Sequence, residues 1–560
     1  MNTKKINTIF FFPIGWSTSV SYLSMDLIGN TLKECDSSVN IIDLNIEFYT
    51  QLLTQANEYN KLIAVDDIGS EILENLRNKK CIYDFDFYLN NCHKLNDFLK
   101  KYKQVDDSLD ITHNNFRIKG LTDNIFSLSL THIFEYILKK KSNLLNIFFN
   151  KYILKNINNK NVFIFSVTSI TQFITSLYFI VQIRSKKPKS KIILGGNYLS
   201  RIYKFLIDDT RIFKYIDFLI YGPGENILPK LYSFLLYSTP SLMEIPNIAY
   251  CIADNTIKNN YLSQIETRHL SAYTKETSMR EYILPLKIVP IYLSRGCIWK
   301  KCVFCSIPNI SGHYSSREIY NVISDIKKYY NQGIRYFTFI DEALTPKQLN
   351  DLSDAIISNR LTEIKWTALA RFDRQFSKDI LKKAYTSGCR RLQFGLESYN
   401  SCTLKQMNKG INFLNIEQVL INCMANNISI NLFCMIGFPG ETYDQALNTI
   451  NYVFKILQKG KEEYNVLVTA DFSGFLLDID SNIYNYAYKY GIVPIQPAKK
   501  DNITLYINYK PIPIWKNNLI EEAEIKYSDI IYSFYGKSTL NSQDKPLYID
   551  EAYWFLKACF

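Results

Sequence analysis

Three cysteines lie within nine residues, in the run Arg295-Gly296-Cys297-Ile298-Trp299-Lys300-Lys301-Cys302-Val303-Phe304-Cys305. Thiolates are soft ligands that suit iron–sulfur clusters or zinc. Three of them on one tight loop can hold three irons of a four-iron cluster and leave the fourth iron free. The alternative is a zinc site completed by His313, but zinc sites usually pair two close cysteines with a second close pair. The spacing therefore favours an iron–sulfur cluster over zinc, and over a chance grouping without a metal.

The segments around these cysteines alternate between strand and helix patterns. A strand predicted at 288–293 leads directly into the cysteine run, and further strands are predicted at 336–340, 365–370, 391–394, 428–435 and 466–472. Ser315 and Glu318 form a predicted capping box, after which Val322 and Ile326 mark the apolar face of a helix. Six such strand–helix units predict a partial TIM-like (βα)6 barrel rather than a complete eight-stranded one.

This arrangement resembles the radical S-adenosylmethionine (radical SAM) enzymes, in which three cysteines follow the first barrel strand. The usual spacing has three residues between the first two cysteines, whereas this chain has four. Further motifs that carry the resemblance end the next four predicted strands: Thr338-Phe339-Ile340-Asp341-Glu342, Trp366-Thr367-Ala368-Leu369-Ala370-Arg371, Phe394-Gly395-Leu396-Glu397-Ser398 and Ile436-Gly437-Phe438-Pro439-Gly440-Glu441.

The resemblance implies a role for each of these strand ends. Cys297, Cys302 and Cys305 would hold a [4Fe–4S] cluster whose free iron binds the amino and carboxylate groups of S-adenosylmethionine. Asp341 or Glu342 would accept from the methionine ammonium, Arg371 would grip its carboxylate, Glu397 would bind the ribose hydroxyls, and Phe304 would lie beside the adenine. A structural interpretation competes with each role: the carboxylates and Arg371 can pair with one another, and Phe304 can be a packing residue.

The first 240 residues predict a second α/β domain. Strands are predicted at 9–12, 39–44, 162–167, 191–194 and 218–221, with helical patterns between most of them, which is typical of a Rossmann-like, doubly wound parallel sheet. The region from about 46 to 160 is aromatic, lysine-rich and largely helical in pattern, and we interpret it as an insertion. Ligands bind such sheets beyond the carboxyl ends of the strands, where the glycines of this domain fall.

Placed ahead of such a barrel, this sheet resembles the cobalamin-binding domain of cobalamin-dependent radical SAM enzymes. The residues that match lie at strand ends: Ser166, Thr168, Gly195, Gly196, Gly222, Gly224 and Glu225. By this resemblance the glycines let the backbone approach cobalamin, and the two hydroxyls bond its nucleotide tail. Tight turns and a helix cap are the structural alternatives. The Asp-x-His-x-x-Gly motif that supplies a histidine ligand in some cobalamin proteins is absent.

Composition agrees with a multidomain globular protein. The chain has 560 residues, 47% hydrophobic and 21% charged residues, a net charge of +12 and 12 cysteines. We predict a cobalamin domain at 1–240, a linker or small hairpin at 241–283, the barrel at 284–480 and a C-terminal cap at 481–560. The 22 uncharged residues from Val162 to Ile183 are long enough to span a bilayer, but eight are Ser, Thr or Gln. A strand, a polar turn and a helix explain them better, and a cytoplasmic location follows.

The resemblance implies a cobalamin-dependent radical SAM enzyme, and a methyltransferase acting on an unactivated carbon of a small molecule or peptide is the preferred interpretation. An electron donor such as flavodoxin or ferredoxin is implied as a partner, and nucleic acid is not expected. Cyclisation, ring contraction or rearrangement with cobalamin is the first alternative. A non-catalytic iron–sulfur or zinc protein is the second.

Overall fold

The computed structural model describes residues 6–59, 68–140, 142–252, 256–260, 270–497, 501–536 and 549–560. These residues divide into two compact units. The first unit takes in Met1–Asn78, Asn90–Ile283 and Pro497–Leu505, and the second takes in Lys79–Leu89, Leu284–Gln496 and Tyr506–Phe560. Parts of the predicted linker and of the predicted cap lie outside the described residues.

The strands in chain order are β1 Thr8–Phe12, β2 Asn40–Asp43, β3 Leu109–Thr112, β4 Asn115–Ile118, β5 Val162–Ser166, β6 Lys191–Gly195, β7 Phe218–Ile220, β8 Ile248–Cys251, β9 Ile257–Asn259, β10 Ile288–Ile291, β11 Ser294–Arg295, β12 Ser315–Ser316, β13 Tyr336–Leu344, β14 Lys365–Ala370, β15 Cys389–Glu397, β16 Ser429–Ile436, β17 Val468–Gly474, β18 Leu477–Asp478, β19 Val493–Ile495 and β20 Tyr506–Lys510.

The helices in chain order are α1 Leu23–Cys35, α2 Leu44–Thr54, α3 Ala56–Tyr59, α4 Ile68–Arg77, α5 Lys80–Tyr83, α6 Phe85–Lys100, α7 Leu130–Glu135, α8 Asn143–Phe148, α9 Leu154–Asn156, α10 Ile170–Lys186, α11 Asn197–Leu206, α12 Thr210–Phe213, α13 Gly224–Tyr237, α14 Lys275–Met279, α15 Ile307–Ile310, α16 Ile319–Tyr330, α17 Pro346–Ser358, α18 Lys378–Thr386, α19 Ser401–Gln406, α20 Phe413–Ala425, α21 Tyr443–Lys459, α22 Asn482–Asn485, α23 Lys516–Tyr535 and α24 Glu551–Cys559.

The first unit is built on a sheet of order β2-β1-β5-β6-β7-β8-β9. The five strands from β2 to β7 run parallel, and β1 and β5 are buried along their whole length. Parallel strands covered by helices on both faces are expected to be continuously apolar. The predicted Rossmann-like sheet is confirmed.

The predicted linker contributes to this sheet. Strands β8 and β9, which lie within 241–283, pair antiparallel with each other and extend the sheet beyond β7. The part of 46–160 assigned to this unit is largely helical, with one antiparallel hairpin of β3 and β4.

The uncharged stretch from Val162 to Ile183 divides as predicted. It forms β5 and most of α10, and the Ser169 side chain caps α10 by accepting from the Gln172 N–H. Among the described residues, no helix is both long and apolar enough to cross a membrane.

Two short segments belong to a different unit from their neighbours in the chain. Residues 79–89, within the predicted insertion, join the second unit because the Tyr553 hydroxyl donates to the Cys81 carbonyl at 3.0 Å and its ring stacks on Tyr88. Residues 497–505, within the predicted cap, join the first unit, where Asp501 accepts from Arg211 at 3.1 Å. Contacts this distant in sequence leave no local pattern.

The second unit is a partial barrel. Strands β10, β13, β14, β15, β16 and β17 are hydrogen-bonded in chain order and run parallel throughout. The predicted six-stranded partial barrel is thereby confirmed. Its edge strand β17 is covered by α23, whose Tyr527 hydroxyl accepts from the Ala470 N–H at 3.5 Å. An edge strand left bare would expose unpaired backbone groups.

An ion pair between a buried arginine and a partly exposed glutamate joins the barrel to the C-terminal helix α24. Arg391 of β15 is 0% exposed, and its guanidinium donates to the Glu551 carboxylate and, at 2.6 Å, to the Thr469 hydroxyl. The Thr469 hydroxyl donates in turn to Asn431 at 2.6 Å. This polar network lies inside the barrel. Among the described residues, Glu551 is the one carboxylate in an ion pair with Arg391, so its removal leaves a buried charge unpaired.

We expect Glu551→Ala to lower the free energy of unfolding by about 3–5 kcal/mol, because a buried guanidinium without its carboxylate is strongly destabilising. Urea denaturation followed by tryptophan fluorescence measures the effect. Glu522→Ala, at an exposed position of α23, is the matched control and should change the free energy of unfolding by roughly 0.5 kcal/mol or less. Equal losses in the two variants would contradict the buried-pair interpretation.

Candidate active site

The cysteine loop follows the first barrel strand. After β10 the chain forms β11, which pairs antiparallel with β12 in the register Ser294 with Ser316 and Arg295 with Ser315. Cys297, Cys302 and Cys305 lie on the loop between this ribbon and α15. The predicted capping box is wrong, because Ser315 pairs in the ribbon and the residue before α16 is Glu318, whose side chain makes no capping bond.

The loop accommodates its four-residue spacing through a backbone turn at Lys300. Lys300 has a φ of 55°, in the left-handed region that non-glycine residues seldom adopt. The neighbouring Trp299 packs against the protein: its indole N–H donates to the Asn408 carbonyl at 2.9 Å. The Arg371 guanidinium lies 3.9 Å from the centroid of the same ring.

A segment after α19, residues 407–410, holds the cysteine loop from the other side. The Val303 N–H donates to the Met407 carbonyl at 3.0 Å, and the Arg371 guanidinium donates to the Lys409 carbonyl. A Cβ on Gly410 would lie 2.2 Å from the Trp299 ring, so only glycine fits there. The loop is therefore held by the Val303 N–H and the Trp299 side chain, without the use of its cysteines.

The three thiols are half-buried, and Cys302 lies beside two cations. Burial raises the pKa of the Cys302 thiol, and the nearby charges of Lys409 and Arg371 act in the opposite direction. Burial also raises the pKa of Cys305, to about 12. Metal ligation needs thiolates, which cations stabilise. Within the described residues, no three His, Cys, Asp or Glu side chains converge on the position of a single metal ion.

The two predicted carboxylates of β13, Asp341 and Glu342, point to opposite faces of the strand. Phe337, Phe339 and Asp341 are buried, and the Phe337 ring packs on Tyr329 of helix α16, so this face points toward the helices. The alternate residues Ile340 and Glu342 are exposed, because successive side chains of a strand point to opposite faces. Glu342 therefore belongs to the interior face of the barrel, and Asp341 does not.

Asp341 instead supports the start of the cysteine loop. Its carboxylate accepts from the N–H groups of Leu293 and Ser294 and, at 2.6 Å, from the Ser294 hydroxyl. Burial raises its pKa to about 6, although these hydrogen bonds favour the charged form. Both oxygens are thus occupied by the protein, which favours Glu342 over Asp341 as a ligand-facing carboxylate.

Glu397 is paired within the protein. Its carboxylate accepts from the Lys409 ammonium at 2.7 Å, and both side chains are about one-tenth exposed. A Cβ on Gly395 would lie 2.5 Å from Glu397 Oε1 and 2.6 Å from Lys409 Nζ. Glycine at this position therefore makes room for the ion pair.

Arg371 keeps unused donors. One nitrogen donates to the Lys409 carbonyl, whereas Nε is buried without a hydrogen-bond partner. Phe304 is half-buried and packs against an apolar cluster that includes Met407 and Phe438, and Lys409 Nζ lies 5.9 Å from its ring centroid. Phe304 thus has a packing role that is sufficient to explain its presence.

The end of the fifth barrel strand is organised by Glu441. Its carboxylate accepts from the Gly437 N–H at 2.7 Å and from the Ser398 hydroxyl at 3.1 Å. Burial raises its pKa to about 7. This carboxylate ties the ends of β15 and β16 together, which explains why both motifs carry polar residues.

In the first unit, the predicted residues gather at the carboxyl ends of β5, β6 and β7. Ser166 pairs in register with Gly195, and its hydroxyl lies 3.3 Å from that of Ser24. Thr168 donates through its N–H and hydroxyl to Gln172 at 2.8 and 2.7 Å. A Cβ on Gly196 would lie 2.2 Å from the Val167 carbonyl oxygen. These residues therefore have partners within the protein.

The remaining glycines are also explained by internal packing. A Cβ on Gly222 would lie 2.8 Å from Asn247 Nδ2, and one on Gly224 would lie 2.9 Å from Ile28 Cδ1. Glu225 is buried in the first turn of α13. Gly195, Gly196, Gly222 and Gly224 nevertheless remain half-accessible along one sheet edge. A ligand can therefore reach this edge, but the glycines do not require one.

Comparison with known proteins assigns the barrel to a family. Residues 291–453 match the model of the radical SAM superfamily. The chain contains a radical SAM domain. This confirms the resemblance drawn from the cysteine loop and the strand-end motifs.

Two curated relatives of the chain are named as methyltransferases. The bacteriochlorophyllide d C-12(1)-methyltransferase of Chlorobaculum tepidum is 27% identical over 177 residues, which are 30% of this chain and 38% of that protein. An uncharacterized methyltransferase of Pyrococcus horikoshii is 30% identical over 174 residues, which are 30% of this chain and 36% of that protein. The chain thus spans less than half the length of these relatives.

Two solved structures share the fold along nearly the whole chain. TsrM of Kitasatospora setae, a radical S-adenosylmethionine methyltransferase solved with cobalamin and a [4Fe-4S] cluster, has a TM-score of 0.57 and 13% identity, over 97% of this chain and 92% of its own. OxsB, a cobalamin-dependent S-adenosylmethionine radical enzyme solved with aqua-cobalamin, has a TM-score of 0.56 and 11% identity, over 95% of this chain and 67% of its own. At these identities the likeness is one of fold.

Sequence reasoning missed two residues at the radical SAM site, Trp299 and Lys409. Trp299 stands inside the cysteine run, where its stacking on Arg371 depends on a contact 72 positions along the chain. Lys409 follows α19 in a short polar turn, and a charged residue there is ordinarily solvated. The Lys409-Gly410 pair is the only local signal, since a glycine after a helix often marks a turn.

Isosteric substitution of the two carboxylates of β13 should change the free energy of unfolding by different amounts. Asp341→Asn replaces one acceptor oxygen with an amide that faces backbone N–H groups, so we expect the free energy of unfolding to fall by about 1–3 kcal/mol. Glu342→Gln, on the accessible face, should change it by about 0.5 kcal/mol or less. Urea denaturation compares the two variants, and the reverse order of stabilities would refute the assignment of faces.

Proposed function

We propose that this protein is a cobalamin-dependent radical SAM enzyme that transfers a methyl group to an unactivated carbon. The observation that carries the proposal is the loop of three half-buried thiols beside Arg371 and Lys409, at the carboxyl end of the first strand of a radical SAM domain. Methyltransferase names among the relatives and the fold shared with TsrM and OxsB support the finer assignment.

The donor set fits an iron–sulfur cluster held by Cys297, Cys302 and Cys305. When bound, such a cluster supplies an electron for cleaving S-adenosylmethionine, and cobalamin carries the methyl group. The protein's own contribution is electrostatic: Lys409 and Arg371 offset the negative charge of the thiolates in a half-buried site. The clamp of Trp299 and residues 407–410 holds the loop in place.

The interior face of the barrel offers groups for S-adenosylmethionine. Glu342 accepts from its ammonium, and the remaining donors of Arg371 bond its carboxylate, an interaction for which the planar guanidinium is suited. Glu397 bonds the ribose hydroxyls through the oxygen that Lys409 leaves unoccupied. Phe304 contributes an apolar surface beside the adenine.

The accessible edge of the first unit is the site that we propose for cobalamin. Thr168 is a half-accessible polar group there, with the buried Ser166 and Glu225 behind it, and Gly195, Gly196, Gly222 and Gly224 leave room for a bulky ligand. Because the histidine motif is absent, this unit would supply no histidine ligand to cobalamin. The protein works in the cytoplasm on a small-molecule or peptide substrate, with flavodoxin or ferredoxin as electron donor.

Metal loading of the anaerobically purified full chain tests this function. Wild type reconstituted with iron and sulfide should hold one four-iron cluster, and Cys302→Ala should lose it, because two thiolates hold a cluster poorly. Cobalamin, which we place on the other unit, should be retained by both proteins through gel filtration. Iron and cobalt analysis, with electron paramagnetic resonance of the cobalt(II) form, measures these outcomes.

Three results would contradict the proposal. Zinc in place of iron in wild type would contradict the assignment as a radical SAM enzyme. Failure of wild type to retain cobalamin removes the cobalamin assignment, and nitrogen splitting from a protein histidine contradicts the expected coordination.

Arg371→Lys should weaken S-adenosylmethionine binding and leave the cluster intact. Lysine keeps the charge but loses the fork that bonds a carboxylate twice. A charge-assisted hydrogen bond is worth about 1.5–3 kcal/mol, so the half-saturating concentration should rise roughly ten- to a hundredfold. Consumption of S-adenosylmethionine against its concentration measures this, with the exposed Arg374→Lys as the matched control. An unchanged value would make Arg371 a structural residue only.

A further inference from the structure

A buried lysine lies across the carboxyl ends of the last two barrel strands. Lys516, the first residue of α23, is 7% exposed. A Cβ on Gly437, directly after β16, would lie 2.5 Å from Lys516 Cδ, and one on Gly474, the last residue of β17, would lie 3.5 Å from Lys516 Cε. Because all six strands are parallel, this is the end of the barrel that also carries the cysteine loop and Arg371.

The Lys516 ammonium is under-satisfied. Its hydrogen-bond acceptor is the Phe475 carbonyl at 3.2 Å, although an ammonium has three donors. Within the part of the chain that the structure describes, it forms no ion pair with a carboxylate. Burial lowers the pKa of Lys516, which reflects the cost of keeping the charge away from water. Lysines are seldom buried without a partner.

A second unsatisfied polar group lies beside it. Tyr509 of β20 is 3% exposed, and its hydroxyl is buried without a hydrogen-bond partner. The Lys516 ammonium lies 5.8 Å from the Tyr509 ring centroid, and the same ring packs edge-on against Phe475 at 5.5 Å. A buried hydroxyl without a partner destabilises the folded state, because it has lost its hydrogen bonds to water. One ammonium and one hydroxyl, both short of acceptors, therefore share an aromatic environment at the mouth of the barrel.

We propose that Lys516 and Tyr509 bind a carboxylate group of the substrate. A carboxylate carries one negative charge and two acceptor oxygens, which match one ammonium and one hydroxyl. A phosphate carries close to two negative charges, which one ammonium does not neutralise. That the carboxylate belongs to the substrate rests on the proposed function; the anion site itself does not.

A purely structural interpretation makes a different prediction. If Lys516 only anchors α23 by capping the Phe475 carbonyl, its removal lowers stability without changing the affinity for anions. Binding of a simple carboxylate therefore distinguishes the two roles, and Tyr509→Phe tests the same site without removing the lysine.

The probe is 3-phenylpropionate, with neutral 3-phenylpropionamide for comparison. Saturation-transfer difference NMR on the full chain, purified without iron or cobalamin, measures the dissociation constant of each. We expect 3-phenylpropionate to bind wild type at least about tenfold more tightly than Lys516→Met, since a charge-assisted hydrogen bond is lost. Tyr509→Phe should weaken it less, by about threefold or more. Lys510→Met, an exposed neighbour on β20, should bind like wild type.

The outcomes separate this inference from the proposed function. Equal affinity for the acid and the amide, or unchanged binding of the acid in both Lys516→Met and Tyr509→Phe, would overturn the anion site. Cys302→Ala should bind the acid as wild type does, because no cysteine takes part. If iron and cobalamin loading fail while acid binding still depends on Lys516, the proposed function falls and the anion site stands.

Discussion

The alternation of side chains along the parallel barrel strands is the constraint on which the site depends. Every second residue of β13, β14 and β15 must face the helices, and the residues between them face the interior. Phe337 and Phe339 meet the first demand, and Ile340 and Glu342 are left accessible. Two adjacent carboxylates, Asp341 and Glu342, thereby take different tasks: one supports the backbone that enters the cysteine loop, and the other is free to meet a ligand.

Most of the framework could be predicted because its signals are local. Apolar runs bounded by glycine or polar turns located all the strands of the parallel sheet and of the barrel, and three close cysteines marked the loop. What escaped prediction depends on contacts between distant segments. Trp299 stacks on Arg371, the Lys409 ammonium pairs with Glu397, and Lys516 reaches Gly437 from a helix 79 positions later. No periodicity records such pairings, so sequence assigned Arg371 and Glu397 to a ligand without the partners that they already have.

The strand-end glycines show a different limit on what can be predicted from the sequence. A glycine is required equally where a ligand approaches the backbone and where another part of the chain does. At Gly196 the neighbour is the Val167 backbone, and at Gly410 it is the Trp299 ring. The residue type therefore identifies a close approach without identifying what approaches. In the first unit other parts of the protein approach Gly196, Gly222 and Gly224. Accessibility along the same edge, rather than the glycines themselves, is what makes a ligand site physically reasonable there.

Charge is distributed unevenly between the two ends of the barrel interior. In the interior network of β15 to β17, Arg391 is neutralised by Glu551 and donates to Thr469, although its Nε is buried without a hydrogen-bond partner. At the carboxyl ends of the strands, Arg371 keeps a buried Nε without a partner, and Lys516 has one carbonyl for its three donors. Burying cations costs free energy that folding alone does not return. Among the described residues, Arg391 forms an ion pair with a carboxylate, whereas Arg371 and Lys516 at the carboxyl ends form none. This difference is what a site for anionic groups requires, because a carboxylate of S-adenosylmethionine and a carboxylate of the substrate would each supply a negative charge that the folded chain does not place beside these two cations.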